Sequence, residues 1–321
     1  MHRRPIKQAI VQLGLTSVYL FIVIVSWGTN YPLMKLALRD MTPLTFSAVR
    51  LFGGAGVVAI LLLAARAPRL LPPPDERARL AGISILQYVS VLGLASVSLQ
   101  FLPAGRTVTI IYSMPLWAAI FDVLILRARL SWVQYMGILV SIGGMLLFLD
   151  PTVIDWDEPR AALGVGMTLT AAMCWGLGAV LYRKWVWTAS LLSQTLWQLL
   201  AAGCVLAVAA ICMEFPASPR FTTTLIFIML WNWVVPTAVA VWAWTKILSY
   251  IPSSIAGQFL MTTPFVGIAF SAWIFNEDLP AVFAASAGLI TLGSVLTLIR
   301  RPASPPADSS FHLKNNHDLP R

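Results

Sequence analysis

A chain of 321 amino acids that is 58% hydrophobic and only 11% charged has too little polar surface to coat a water-soluble globule. The formal charge of +9 does not point to nucleic acid, because the basic residues fall in short loops between apolar runs rather than along one face. Cys174, Cys204 and Cys212 lie inside apolar runs without paired spacing, so no metal centre, disulfide framework or cofactor is expected.

In chain order, Arg3, Arg4 and Lys7 precede an apolar run, as in a signal peptide. The run from Leu15 continues through Gly28-Thr29-Asn30-Tyr31-Pro32 without a small-residue cleavage site, which predicts a retained first membrane helix. A bilayer-crossing helix needs about 20 mostly apolar residues. Ten stretches qualify: Leu15–Leu38, Leu44–Ala65, Leu80–Phe101, Thr107–Leu126, Trp132–Leu149, Leu163–Tyr182, Leu191–Met213, Leu225–Leu248, Ser254–Phe275 and Ala281–Ile299. Pro103 and Gly105 make the turn between the third and fourth very tight. The tail from Pro302 is rich in Pro, Ser, Asp and Asn and is expected to be disordered.

The sequence repeats itself. Pro103–Leu149 can be laid on Pro252–Leu298 at a constant offset of 149, matching Pro115 with Pro264, Phe121 with Phe270, Ile125 with Ile274 and Gly144 with Gly293. Trp27-Gly28 matches Trp175-Gly176 at an offset of 148. Five spans per copy turn the second copy over, so the expected fold class is an all-α membrane protein of ten transmembrane helices in two inverted five-helix repeats. The expected divisions are 1–14 (cytoplasmic N-terminus), 15–149 (first repeat), 150–162 (extracytoplasmic loop), 163–299 (second repeat) and 300–321 (cytoplasmic tail). Such repeats bind solute between the copies near the bilayer midplane. With the N-terminus inside, fourteen Lys and Arg residues flank the spans on the inner side and five on the outer side, which predicts cytoplasmic termini.

Polar and aromatic residues at depth are the candidates for solute contact. They are Asn30, Tyr31, Arg50, Tyr88, Tyr112, Trp175, Trp242, Gln258 and Thr262. Arg50 lies about seven residues into the second span; it reads either as an anchor for a solute carboxylate or as a structural arginine snorkelling to the interface. Asp122, near the inner end of the fourth span, is a candidate proton-coupling carboxylate or an interfacial partner for Arg127 or another inner-loop base. Gly28, Pro115, Gly176 and Pro264 occupy equivalent positions in the two copies and are candidate hinges.

Trp27-Gly28-Thr29-Asn30-Tyr31, then Lys35, Pro43 and Arg50, resembles the opening of the EamA family of the drug/metabolite transporter superfamily. Pro264, Asn276-Glu277 (where the family usually has Gly-Glu) and Gly293 continue the resemblance, which runs from about Leu15 to Ile299. It implies a ten-helix, two-repeat carrier that moves small metabolites such as amino acids, often outward. The chain departs from the pattern at Ala128, where the repeat would place Glu, and at Gln198, the repeat mate of Arg50.

No helical His pair, Walker-type loop or Gly-x-Ser-x-Gly elbow is present, and His2, His312 and His317 all lie in terminal tails. The expectation is a non-enzymatic inner-membrane exporter of small metabolites, amino acids foremost, whose partners are the solute and the lipid bilayer. Carriers of sugars, nucleosides or drugs remain the alternatives within that class, and a membrane-embedded enzyme or a non-transporting adaptor outside it.

Overall fold

The computed structural model describes residues 3–67, 69–127, 130–149, 158–216, 218–250, 257, 259–276 and 282–298. The described residues are helical, without strands. The helices are α1 (Arg3–Ala37), α2 (Pro43–Ala64), α3 (Pro74–Ser98), α4 (Ala104–Leu126), α5 (Trp132–Leu149), α6 (Pro159–Lys184), α7 (Leu191–Glu214), α8 (residues 223–250), α9 (Thr263–Phe275) and α10 (Phe283–Leu298). Seven of them, α1 to α4 and α6 to α8, are long and apolar enough to cross a membrane; α5 and α9 are shorter apolar helices. Gln258, Glu277, Asp278, most of the expected central loop and the tail lie outside the described residues.

Helix ends follow the local sequence. Proline opens α2, α3 and α6, where its missing N–H costs nothing and its fixed φ suits the first turn. Ser190 and Thr222 cap α7 and α8 by accepting from the N–H groups of Ser193 and Leu225. Arg127 and Asn276, 149 residues apart, close α4 and α9 in the left-handed conformation. Several helices overrun the sequence expectation: α1 begins at Arg3 rather than Leu15, α3 at Pro74 rather than Leu80, and α6 extends from Pro159 to Lys184. The chain flanking each apolar run is itself good helix-forming sequence, which hydropathy alone does not register.

Lipid tails are as apolar as leucine, so helices in a bilayer gain cohesion from close packing and hydrogen bonds. Both occur here at repeat-related positions. A Cβ on Gly28 of α1 would lie 2.9 Å from the Thr263 carbonyl oxygen and 2.9 Å from Val266 Cβ on α9. A Cβ on Gly176 of α6 would lie 2.7 Å from the Ala118 nitrogen and 2.9 Å from Trp117 Cβ on α4. The helices run on through both glycines, so these are points of close approach rather than breaks. The pair α5 and α10 is reciprocal in the same way: Gly144 faces Leu289 and Ile290, while Gly293 faces Gly137 and Ser141.

Two polar clamps fix the ends. At one end Glu214 of α7 accepts from the backbone N–H groups of Leu44 and Thr45 at 2.7 and 2.8 Å, neutralising the start of α2, and the Arg220 N–H donates to the Asp40 carbonyl. At the other end Glu76 of α3 accepts from the N–H and hydroxyl of Thr188, both at 2.6 Å, just ahead of α7. Helices α2 and α7 therefore run antiparallel between an Arg220 end and an Arg183 end.

The glycine contacts give a paired test on one helix. Gly144→Leu should wedge α5 from α10 and lower the thermal midpoint in detergent, at a cost of about 1–3 kcal/mol. Gly143→Leu, one residue away with nothing within 4 Å of its Cβ position, should leave the midpoint unchanged or raise it. Equal midpoints for the two variants would refute this packing.

A candidate solute site between the repeats

Two helices are irregular at matching places. In α3 the segment Ile85–Leu94 is π-helical, and in α8 so is Trp233–Val239; they begin 148 residues apart. In α8 the cause is Pro236, which withdraws the N–H that an α-helix would offer to the Asn232 carbonyl; the Ala240 N–H then reaches back five residues to the Val235 oxygen. In α3 the Ser90 and Ser96 hydroxyls donate back to the Leu86 and Leu92 carbonyls and compete with the ladder. Helix α4 is broken at Tyr112-Ser113, just before Pro115, and α9 starts at Thr263, just before Pro264.

The two π-helical stretches and the break in α4 border one cleft of about 580 Å³. Asn30 and Tyr31 enter it from α1, Arg50 from α2, Tyr88 from α3, Tyr112 from α4 and Trp175 from α6. Trp27 and Thr237 complete its polar and aromatic wall. Tyr31 meets Tyr112 edge-on at 6.4 Å, Trp175 meets Tyr88 at 6.0 Å, and Trp27 meets its repeat mate Trp175 at 6.1 Å. The Trp27 indole N–H donates to the Pro236 carbonyl at 3.0 Å, tying α1 to the π-helical stretch of α8.

Arg50 decides the electrostatics. It is only 5% exposed. Its Nε donates to Thr237 Oγ1 at 3.1 Å and its Nη1 to Met34 Sδ at 3.4 Å. A thioether is a weak acceptor, and among the described residues the one ion pair is Arg183 with Asp122, so no carboxylate neutralises Arg50 there. Asn30, 3% exposed, donates its Nδ2 to the same sulfur, and its Oδ1 has no partner. A buried guanidinium on weak neutral acceptors, beside an orphaned amide oxygen, can take up a carboxylate and a neighbouring hydrogen-bond donor.

The remaining sequence candidates lie elsewhere. Trp242 packs edge-on against Tyr19 at 5.5 Å, and its neighbour Val241 lines the cleft instead. Thr262 donates to the Phe259 carbonyl at 2.7 Å within its own turn. Asp122 accepts twice from Arg183 Nη1, at 2.7 and 3.0 Å, which joins the ends of α4 and α6. Thr237 and Met34, the direct partners of Arg50, were not among the sequence candidates. Thr237 was discoverable as a polar residue adjoining a helix-distorting proline within an apolar span; nothing in the sequence marks Met34.

A model of the EamA-like transporter family matches residues 14–149 and 162–299, one copy per half. The chain is 25% identical over 283 residues to the "Uncharacterized transporter YoaV" of Bacillus subtilis, covering 88% of this chain and 94% of that protein. It is 23% identical over 297 residues to the "Uncharacterized inner membrane transporter YedA" of Escherichia coli K12, covering 89% and 92%. It is 23% identical over 291 residues to a "Probable amino-acid metabolite efflux pump" of the same organism, covering 86% and 90%. One solved crystal structure shares the fold, with a TM-score of 0.70 over 88% of this chain and 96% of that one at 18% identity. With both halves matched by the family model and an all-helical bundle built from them, this multi-pass membrane protein belongs to the EamA-like transporter family.

Proposed function

We propose that the protein is a carrier of ten spans, in two inverted repeats, that exports small carboxylate-bearing metabolites, amino acids foremost, across the inner membrane by alternating access. The observation that carries this reading is the unneutralised Arg50 beside the unpartnered Asn30 Oδ1 in an aromatic-walled cleft. A solute carboxylate would replace the Met34 sulfur as guanidinium partner, and its ammonium would find the Asn30 oxygen and the ring faces of Trp27 and Tyr31. The relative named as a probable amino-acid metabolite efflux pump agrees with it.

The inverted arrangement is supported by reciprocity: Gly28 on α9 answers Gly176 on α4, α5 meets α10 at mated glycines, and Trp27 meets Trp175. Two half-bundles related this way can rock about the cleft and expose it alternately. The breaks before Pro115 and Pro264 and the two π-helical segments are where bending would concentrate, whereas Gly28 and Gly176 would act as sliding contacts.

Arg50→Gln should raise the half-saturation concentration for L-phenylalanine by about 10- to 100-fold, because a charge-assisted hydrogen bond contributes about 1.5–3 kcal/mol. The effect on L-phenylalaninamide should be much smaller. Arg50→Met should preserve or raise the thermal midpoint, since an apolar side chain of similar length relieves a buried charge. Equal loss for acid and amide, or a collapsed midpoint, would assign Arg50 to structure.

For topology, single cysteines are placed in the Asp155–Pro159 loop and in the tail after Pro302, on a background with the three native cysteines replaced. An impermeant thiol reagent applied to whole cells should label the loop and spare the tail. Labelling of the tail would invert the proposed orientation.

Asp122 is already engaged by Arg183, so we assign it to holding α4 and α6 together at the cytoplasmic end rather than to coupling. Substrate should equilibrate across proteoliposomes without a pH gradient, and Asp122→Asn should retain part of that flux. Uphill accumulation driven by an imposed pH gradient and abolished by Asp122→Asn would make it the coupling residue.

A further inference from the structure

The Trp27–Trp175 contact has a cleft on each side. The second, about 620 Å³, shares Trp27, Tyr88 and Trp175 with the first and extends toward the Arg183 end, where Gln87, Gln194 and Gln198 line it. Shifting by the repeat offset of 148 carries Trp27 to Trp175 and Arg50 to Gln198. Arg50 lies seven residues into α2, which starts at the Arg220 end; Gln198 lies seven residues into α7, which starts at the Arg183 end. The two side chains are therefore counterparts, one on each side of the tryptophan pair.

Gln198 is as buried as Arg50, at 6% exposed, and its Nε2 has no hydrogen-bond partner. The neighbouring Gln194 is satisfied: its Oε1 accepts from the Tyr182 hydroxyl at 2.5 Å, and its Nε2 donates to the Ala189 carbonyl at 2.8 Å. A buried amide donor left unpaired in a polar cleft is the expected mark of a missing acceptor. Arg183, at the mouth of this cleft and 41% exposed, holds Asp122 and leaves Gln198 as the deep donor.

We propose that the second cleft is a neutral binding subsite for a carboxylate-bearing solute, in which Gln198 Nε2 donates to the oxygen that Arg50 binds in the first cleft. This inference rests on the reading of the first cleft as a carboxylate site. Because the two clefts share three aromatic walls, one solute occupies one subsite at a time, and the tryptophan pair is the partition between them. An amide binds a carboxylate more weakly than a guanidinium does, so the Arg183-side subsite loads and releases readily while the Arg50 side holds. The solute is received at Gln198 and handed past Trp27 and Trp175 to Arg50.

The test is sided. Protein is reconstituted in liposomes, and molecules of one orientation are silenced with an impermeant thiol reagent through a cysteine placed at one end. Half-saturation for L-phenylalanine and for 3-phenylpropionate is then measured from each side. Gln198→Leu should raise it up to about tenfold for solute presented at the Arg183 end and leave the Arg220 end within about twofold, the loss of one neutral hydrogen bond. Gln198→Arg should lower it at the Arg183 end for both acids but not for L-phenylalaninamide. Gln198→Met, closer in shape, takes the place of the leucine variant if that one does not fold. Equal shifts on both sides, or none on either, would overturn the subsite. If Arg50→Gln fails to separate acid from amide, the first-cleft reading falls. If it does separate them and the Gln198 variants show no sidedness, only the second subsite falls.

Discussion

A hydrocarbon solvent offers no partner to a backbone N–H or C=O, and that constraint organises the whole molecule. It forces the described chain into helices and permits irregular backbone only where protein or a cavity supplies what lipid cannot. The departures obey it. The π-helical stretches of α3 and α8 and the break in α4 all border one cleft. The carbonyls these distortions redirect find protein donors, as when the Trp27 indole binds the Pro236 oxygen. Irregular backbone is thus concentrated where a carrier needs both solute contacts and the capacity to bend.

Much of this was legible because duplication and hydropathy are both one-dimensional patterns. The mated residues Gly144 with Gly293 and Trp27 with Trp175 could be read directly, and the structure uses each pair at an interface. Six of the nine solute-contact candidates, Asn30, Tyr31, Arg50, Tyr88, Tyr112 and Trp175, do line one cleft. They were found because polar groups and large rings at bilayer depth need a reason to be there.

What was not legible was rotation. A π turn takes in one more residue than an α turn, which moves the following helix face by about 100°. Trp242 follows such a segment and turns toward Tyr19, while Val241 takes the cleft position. Thr262 was read as mid-span, but the chain is turning there, so its hydroxyl is used locally. Asp122 reads either as a coupling carboxylate or as a partner for an inner-loop base; the base that holds it is Arg183, 61 residues away on another helix, and spacing alone does not single it out. Sequence spacing gives depth in the membrane well and azimuth poorly, and contacts between helices depend on azimuth.

The deepest asymmetry in an otherwise duplicated frame is Arg50 against Gln198. A symmetric scaffold gives its two conformations nearly equal energies, which suits a carrier that must visit both. A single buried cation breaks that balance at a definite cost to stability. In a membrane protein the usual remedy is a carboxylate on a neighbouring helix, yet here the guanidinium rests on a threonine hydroxyl and a methionine sulfur. A fixed counter-ion would stabilise the fold and compete with an anionic solute for the same donors. On the reading developed above, the counter-ion of Arg50 is the cargo, and the weak partners are what leave the site free to receive and release it.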